Sequence, residues 1–210
     1  MKDIIIVGAS GFGREILWYL EDINNIKPTW NILGFLDDNL NALDGYNCQY
    51  PILGTIKDYV PLPNQEFICA LAFPKVKKQI IETLKSKGAL FTKVIHPSVR
   101  INPNSEIGEG VVITPGSVIS DNAKIGDFVS LLGSSVAHDA TIDDWSTLSG
   151  KCSVNGHAKV GKSVYMGCGV LVAPSKKIGD NSTVGIGSVV ISNIKAGSTV
   201  FGNPAKKIDF

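Results

Sequence analysis

The spacing of apolar residues changes character near residue 96. Before that point, short β-branched runs alternate with segments whose apolar residues recur at helical spacing, as in the run Ile4–Val7 followed by Arg14–Glu21. This alternation is typical of an α/β domain with a parallel sheet, and we predict such a domain over residues 1–95. Further strands are expected at Leu33–Leu36 and Glu66–Leu71, and a second helix at Lys75–Lys87.

From residue 96 onward, aliphatic residues recur every six positions. An α-helix needs a period of 3.6 and a simple strand a period of 2, so neither produces a repeat of six. A period of six predicts an all-β domain, a parallel β-helix of about five to six coils, over residues 96–210. The in-phase residues are Ile101, Ile107, Ile113, Ile119, Ile125, Leu131, Val136, Ile142, Leu148, Val154, Val160, Met166, Val172, Ile178, Val184 and Val190.

One step of this repeat is shorter than the others. Leu131 and Val136 are five residues apart, just before the tripeptide Ala137-His138-Asp139. An irregularity beside an active site can redirect a side chain. A neutral one-residue deletion in a turn is the alternative.

Composition and charge exclude several classes of protein. The formal net charge of +1 does not indicate the basic surface that binding to nucleic acid requires. The first residues lack a secretion signal, and no apolar run is long enough to cross a bilayer, so we expect a cytoplasmic protein without membrane insertion. The four cysteines lack CxxC spacing and are expected to be reduced thiols.

The histidines of the repeat region supply the candidate chemistry. His138 is followed directly by Asp139, and a neutral imidazole beside a carboxylate suits general-base catalysis. His157 lies nineteen residues further on, about one coil away, where it either faces the same cleft or is an exposed turn residue. The histidine spacing does not match a three-histidine zinc site, so we expect no metal.

A glycine-rich segment follows the first strand and opens the first helix. Its spacing is GxxGxG rather than the dinucleotide fingerprint GxGxxG, yet its backbone amides could accept a phosphate. Two acidic residues end the second strand, where a carboxylate can bind a ribose hydroxyl or a base edge. The alternative is a domain that only packs on the β-helix. The candidate substrate-binding residues are Gly8, Ser10, Gly11, Gly13, Asp37 and Asp38.

These motifs together resemble one family of enzymes. They are G-A-S-G-F-G-R at Gly8–Arg14, Asp37-Asp38, His96-Pro97, His138-Asp139 and F-G-N-P-A-K at Phe201–Lys206. The chain resembles the sialic acid O-acetyltransferases and bacterial nucleotide-sugar N-acetyltransferases, which are hexapeptide-repeat acyltransferases. The resemblance implies a Rossmann-like nucleotide-sugar-binding domain, a left-handed β-helix and a homotrimer.

The resemblance also implies the reaction and the roles of particular residues. An acetyl group would pass directly from acetyl-CoA, the expected acyl donor, to a sugar, with His138 as general base and Asp139 as its acidic partner. Thr147 stands where some relatives carry a second histidine that contacts the acetyl group. The residues that would bind the cofactor are the amide of Gly156 and the closing loop with Gly202, Asn203, Pro204 and Lys206.

The predicted function is acetylation of an amino group on a nucleotide-linked sugar in surface-glycan biosynthesis. O-acetylation of sialic acid or another sugar hydroxyl is the first alternative, and a non-catalytic β-helix scaffold is an alternative of another class. Lys75, Lys77 and Lys78 could contact a diphosphate, although lysines on a helix usually form a solvated face.

Overall fold

The computed structural model describes residues 1–208. The chain divides into two compact units, Met1–His96 and Pro97–Phe210. The first unit is an α/β domain and the second is a left-handed parallel β-helix, so the predicted fold class is confirmed. No helix among the described residues is both long and apolar enough to span a membrane.

The first unit is built around a five-stranded sheet in the order β3-β2-β1-β4-β5, and every pairing in it is parallel. The central strand β1 is buried over its last four residues because helices cross over between parallel strands. The elements of this unit are β1 (Lys2–Val7), α1 (Gly11–Ile26), β2 (Trp30–Leu36), β3 (Ile52–Gly54), β4 (Gln65–Cys69), α2 (Pro74–Ser86), β5 (Leu90–Phe91) and β6 (Val94–Ile95).

Helical periodicity explains which face of α1 is buried. On α1 the buried face carries Ile16, Leu17 and Leu20, which are three and four residues apart as one face of a helix requires. The helix begins at Gly11, earlier than the apolar pattern predicted. The pattern missed this start because two of the first three residues are glycines. The short strands β3 and β5 were not predicted, since two or three residues carry no periodic signal.

Lys77 departs from the solvated lysine face expected on α2. Its side chain is only 1% exposed, and it shares the buried face of the helix with Ile81 and Leu84. Burial lowers the pKa of Lys77 to about 7, and burial raises the pKa of the neighbouring Cys69 to about 11. The expectation of a solvated side chain was therefore wrong for Lys77.

The buried lysine predicts a pH dependence of stability. Between pH 7 and 9 the unfolded chain holds a proton on Lys77 that the folded chain has lost, so the free energy of unfolding rises with pH by up to about 1.4 kcal/mol per pH unit. Above pH 9 the raised pKa of Cys69 gives the opposite slope and offsets this rise. Lys77→Met should flatten this rise. Urea unfolding across this pH range measures it, with the exposed Lys78→Met as the matched control. Identical pH curves for the Lys77→Met and wild-type proteins would exclude this assignment.

The second unit winds into three sheets, one on each face of the coil. The strands of successive coils pair in parallel, and the last strand, β24, pairs antiparallel with β23. One sheet has the order β22-β19-β16-β13-β10-β7 and corresponds to six coils, the second has the order β20-β17-β14-β11-β8, and the third runs β24-β23-β21-β18-β15-β12-β9 within this unit. The strands are β7 (Arg100–Ile101), β8 (Glu106–Ile107), β9 (Val112–Ile113), β10 (Val118–Ile119), β11 (Lys124–Ile125), β12 (Ser130–Leu131), β13 (Ser135–Val136), β14 (Thr141–Ile142), β15 (Thr147–Leu148), β16 (Ser153–Val154), β17 (Lys159–Val160), β18 (Tyr165–Met166), β19 (Leu171–Val172), β20 (Lys177–Ile178), β21 (Thr183–Val184), β22 (Val189–Val190), β23 (Thr199–Phe201) and β24 (Lys206–Lys207).

The repeated aliphatic residues form the core of the β-helix. From Ile113 to Val190 every in-phase side chain is at most 3% exposed, which confirms the interpretation of the period of six. Each is the second residue of a two-residue strand, so it points into the core while the residue before it points to the opposite face of the sheet.

The corners of the coil use left-handed backbone conformations. Asp139 (φ 59°) and His157 (φ 60°) are both corner residues, in a region that side chains other than Asn, Asp and Gly seldom adopt. Corners stack directly above one another, as the hydrogen bond from the His157 N–H to the His138 carbonyl (3.1 Å) indicates. Residues one coil apart in sequence are thus neighbours in space.

The five-residue step between Leu131 and Val136 shortens a single corner of the coil. Paired residues are normally 18 positions apart, as for Ser135 and Ser153, but 17 apart across this coil, as for Val118 and Ser135. The pairing is in register on both sides of the step, with Gly133 at the shortened corner in a left-handed conformation (φ 59°). The strand pairing around β13 therefore keeps its register. This is the result expected of a neutral one-residue deletion in a turn.

Candidate active site

His138 and Asp139 lie at the corner that follows β13. The Nδ1 atom of His138 is 2.8 Å from Oδ2 of Asp139. An ionised carboxylate only accepts hydrogen bonds, so Nδ1 carries the proton and donates it, which leaves the lone pair on Nε2. The His138 side chain is 60% exposed, so the imidazole ring is open to a reactant. The pair has the geometry that a general base requires.

Asn122 holds the carboxylate from the coil below. Its Nδ2 donates to Oδ1 of Asp139 at 2.7 Å, so each carboxylate oxygen has its own donor. The hydrogen bond from Asn122, followed by that from His138, lowers the pKa of Asp139. The carboxylate is thereby kept ionised and oriented towards the imidazole. Asn122 was not singled out by sequence reasoning, although it lies one shortened coil before Asp139.

Removing the Asn122 amide should raise the pKa of Asp139. The largest cause of the lowered pKa is lost in Asn122→Ala, so protonation of Asp139 should begin at higher pH. Carbon-13 NMR titration of the Asp139 carboxyl group measures this shift. The matched control is Asn104→Ala, which removes the same kind of bond (Asn104 Nδ2 to Asp121 Oδ1, 2.8 Å) one coil below. An equal Asp139 titration in both variants would refute the assigned cause.

His157 also faces this corner. Its Nε2 atom lies 3.7 Å from Oδ2 of Asp139, and its ring meets the His138 ring edge-on with centroids 5.2 Å apart. The structure therefore brings both histidines to one carboxylate. Of the two alternatives that the sequence left open for His157, the structure therefore favours the one in which it faces the same corner as His138.

The backbone of Gly156 lies close against the imidazole of His138, on the side of the following coil. A Cβ atom at this position would be 2.7 Å from both Cε1 and Nε2 of His138, which is closer than non-bonded atoms approach. Among the described residues, the Gly156 N–H donates to no other group. Because Gly156 has no side chain, the His138 ring can pack directly against its backbone.

Thr147 lies in a different sheet from the strand before His138. It begins β15 in the third sheet, whereas β13 belongs to the first, and its side chain is fully buried. Its N–H donates to the Val164 carbonyl at 2.9 Å. Its contact with an acetyl group stays a prediction.

The segment Gly202–Lys206 is attached to β22. The Gly202 N–H donates to the Ser188 hydroxyl at 3.1 Å, and the Ala205 N–H donates to the Val189 carbonyl at 2.8 Å. Asn203, Pro204 and Lys206 are exposed between and beyond these anchors, and the Asn203–Pro204 peptide bond is cis. The segment is therefore a fixed loop with outward-facing polar groups.

The glycine-rich segment of the first unit is shaped by close backbone approaches. A Cβ on Gly13 would collide with the Gly8 carbonyl oxygen, and Gly8 itself has a φ of 104°. Ser10 caps α1 without a hydrogen bond from its side chain, and both Ser10 and Gly11 are exposed. The start of α1 thus presents backbone donors where an anion could bind.

Asp37 and Asp38 connect this segment to neighbouring loops. Asp37 Oδ2 accepts from the Ala9 N–H at 2.8 Å, and its Oδ1 accepts from the Asn39 N–H at 2.9 Å. Asp38 Oδ1 accepts from the Ile56 N–H at 3.0 Å. Asp37 thus orients the glycine segment, and the more exposed Asp38 is the better placed of the two to meet a ligand.

Comparison with known proteins identifies matches to both units. Residues 3–84 match the family described as the PglD N-terminal domain, and residues 91–186 match the family described as the GMPPB C-terminal domain. GDP-perosamine N-acetyltransferase from Escherichia coli O157:H7 is 30% identical over 97% of this chain and 95% of its own length.

Two solved structures are similar to this chain over nearly its whole length. The acetyltransferase domain of PglB from Neisseria gonorrhoeae, solved in complex with acetyl coenzyme A, has a TM-score of 0.89 at 25% identity and covers 99% of both chains. WeeI from Acinetobacter baumannii has a TM-score of 0.87 at 30% identity, covering 99% of this chain and 100% of its own.

The α/β unit, the six-coil β-helix and the matches to known acetyltransferases together define an acetyl-CoA-dependent acyltransferase. The chain belongs to the hexapeptide-repeat acyltransferase family, in the group that carries a PglD-type N-terminal domain.

Proposed function

We propose that this protein transfers an acetyl group from acetyl-CoA to an amino group of a nucleotide-linked sugar. The observation that carries the proposal is the His138–Asp139 pair, with an imidazole side chain that is largely exposed. The pair occurs in a chain that is 30% identical, over nearly its whole length, to GDP-perosamine N-acetyltransferase. We propose surface-glycan biosynthesis as the setting of this reaction.

The site supports a direct transfer between two bound substrates. A neutral amine attacks the thioester carbonyl while Nε2 of His138 accepts the proton that the nitrogen loses. Asp139 stabilises the imidazolium that forms. The C–N bond forms, the C–S bond breaks, and the thiolate of CoA leaves and takes up a proton. The N–H of Gly156, which donates to no group among residues 1–208, is suited to stabilise the negative oxygen of the tetrahedral intermediate.

We propose that the first unit binds the nucleotide. The exposed start of α1 at Ser10 and Gly11 offers backbone donors to a phosphate, and Asp38 keeps one carboxylate oxygen for the nucleoside. Gly8, Gly13 and Asp37 would shape the loop, since the first two are closely packed and the third binds backbone amides.

We propose that the protein is a cytoplasmic homotrimer. The β-helix exposes apolar side chains that a monomer would leave in water, among them Ile186 (63% exposed) and Ile191 (54% exposed). Subunit contacts would cover them. We further propose that the loop Gly202–Lys206 closes on CoA, with Lys206 near its phosphates, and that Thr147 contributes to the acetyl site.

A matched pair of acceptors tests the substrate class. One nucleotide-linked sugar carries an amine at C4, and its partner carries a hydroxyl there on the same nucleotide; free sialic acid is assayed alongside. We expect turnover only with the amine. Turnover confined to the hydroxyl sugar or to sialic acid would replace the proposal with O-acetylation.

A further inference from the structure

The corner that holds the candidate base also has the composition of a metal site. His138, Asp139 and His157 each offer one ligand atom, and the three atoms lie within 4.8 Å of one another. Asp139 Oδ2 is 2.8 Å from Nδ1 of His138 and 3.7 Å from Nε2 of His157. Neighbouring ligands of a tetrahedral zinc ion with bonds of about 2.0 Å are about 3.3 Å apart. The two separations lie on either side of that value.

The environment of Asp139 favours a bound cation. Ligating carboxylates are usually fixed by a second hydrogen bond, and Asn122 supplies one to Oδ1 while Oδ2 faces both imidazoles. The left-handed corners at Asp139 and His157 hold two of the three backbones in place. Two imidazoles and one carboxylate suit zinc and similar divalent transition ions.

We propose that His138, Asp139 and His157 form an inhibitory binding site for a divalent transition-metal ion of the zinc type. The ion replaces the proton between His138 and Asp139, with solvent in its fourth position. A neutral imidazole has a single lone-pair nitrogen. When Nδ1 of His138 binds the ion, Nε2 must carry the proton and can accept no other. Binding thus converts the base into its inactive tautomer.

This site is distinct from a catalytic zinc centre because the ion blocks the reaction that the apo corner supports. Metal binding and acetyl transfer are mutually exclusive uses of His138. The inhibition rests on the proposed function, whereas the binding itself does not. A binding measurement therefore remains decisive even if the acceptor is misassigned.

His157→Asn is the variant that tests the site. Asparagine readily adopts left-handed conformations, and Asn122 and Asn181 already occupy such corners (φ 53° and 56°), so the coil should be retained. His96→Asn is the matched control, since His96 contacts Asp22 at 3.3 Å instead. All proteins carry Cys168→Ser, because the exposed Cys168 thiol is an alternative zinc ligand.

Two readouts are expected to agree. Titration with Co²⁺ should give visible d–d absorption from one bound ion in the parent and in His96→Asn, and none in His157→Asn. Zinc chloride should inhibit acetyl transfer, followed by product mass, reversibly with a chelator. His157→Asn should raise the zinc concentration for half-inhibition by tenfold or more, by analogy with the about 10–100-fold losses on removing even second-shell groups. Equal Co²⁺ spectra or equal zinc sensitivity in His157→Asn and the parent would overturn the proposal.

Discussion

His138→Ala should reduce kcat by about 10²–10⁴-fold, the usual contribution of a positioned general base. Nε2 of His138 is the nitrogen proposed to take the proton of the attacking amine, and no substitute base is created by truncation. Because the side chain is 60% exposed, its removal should leave the aliphatic core of the coil intact. Steady-state kinetics with acetyl-CoA measures the loss.

The control for this variant is a substitution at the same position of another corner. Lys162 follows β17 as His138 follows β13, and it pairs with Asp144 at 2.8 Å. Lys162→Ala should keep near-normal turnover. Both variants should bind CoA as the wild-type protein does. Loss of folding or of CoA binding in His138→Ala would show that the histidine is structural rather than catalytic.

Gly156→Ala should reduce turnover by about 10²-fold while the β-helix stays folded. The added Cβ would lie 2.7 Å from Nε2 and Cε1 of His138, so the ring must move away. A displacement of about 1 Å at a reacting group can cost this much. The added methyl also crowds the N–H proposed to stabilise the oxyanion. Acetyl transfer and circular dichroism measure the two effects separately.

Gly150→Ala is the matched control for this variant. Gly150 occupies the equivalent place before a corner, two residues after Leu148, and a Cβ there would meet only the Cys168 Sγ at 3.8 Å and the Leu132 carbonyl at 3.9 Å. These are ordinary contacts, so turnover should hardly change. Equal losses in both variants would mean that Gly156 acts through the backbone of the coil and not through His138.

The architecture was predictable because each coil repeats one chemical pattern. A strict period of six requires an aliphatic residue inside each strand, and the in-phase residues from Ile113 to Val190 are buried as expected. The α/β unit was predictable where its strands and helices are long. The burial of Lys77 was not, since a lysine on a helix gives no sequence sign that the buried face of α2 includes it.

Only the part of the site formed by residues adjacent in sequence was predicted with its contacts. His138 and Asp139 are adjacent in sequence, so their pairing followed from the motif. Asn122 comes from a neighbouring coil and was missed, although counting one coil of 17 residues backward from Asp139 would have found it. His157 was placed about one coil from His138, but whether it faces the same cleft was left open, because the repeat alone does not show how the corners stack.

The central claim is that acetyl-CoA and a nucleotide-linked amino sugar react on this protein. The most direct measurement is the mass of the products after incubating the wild-type protein with acetyl-CoA and a nucleotide-linked 4-amino sugar. The account predicts a sugar nucleotide that has gained one acetyl group on its amine, together with free CoA. A protein that leaves both reactants unchanged and does not bind CoA would contradict it and would favour a non-catalytic scaffold.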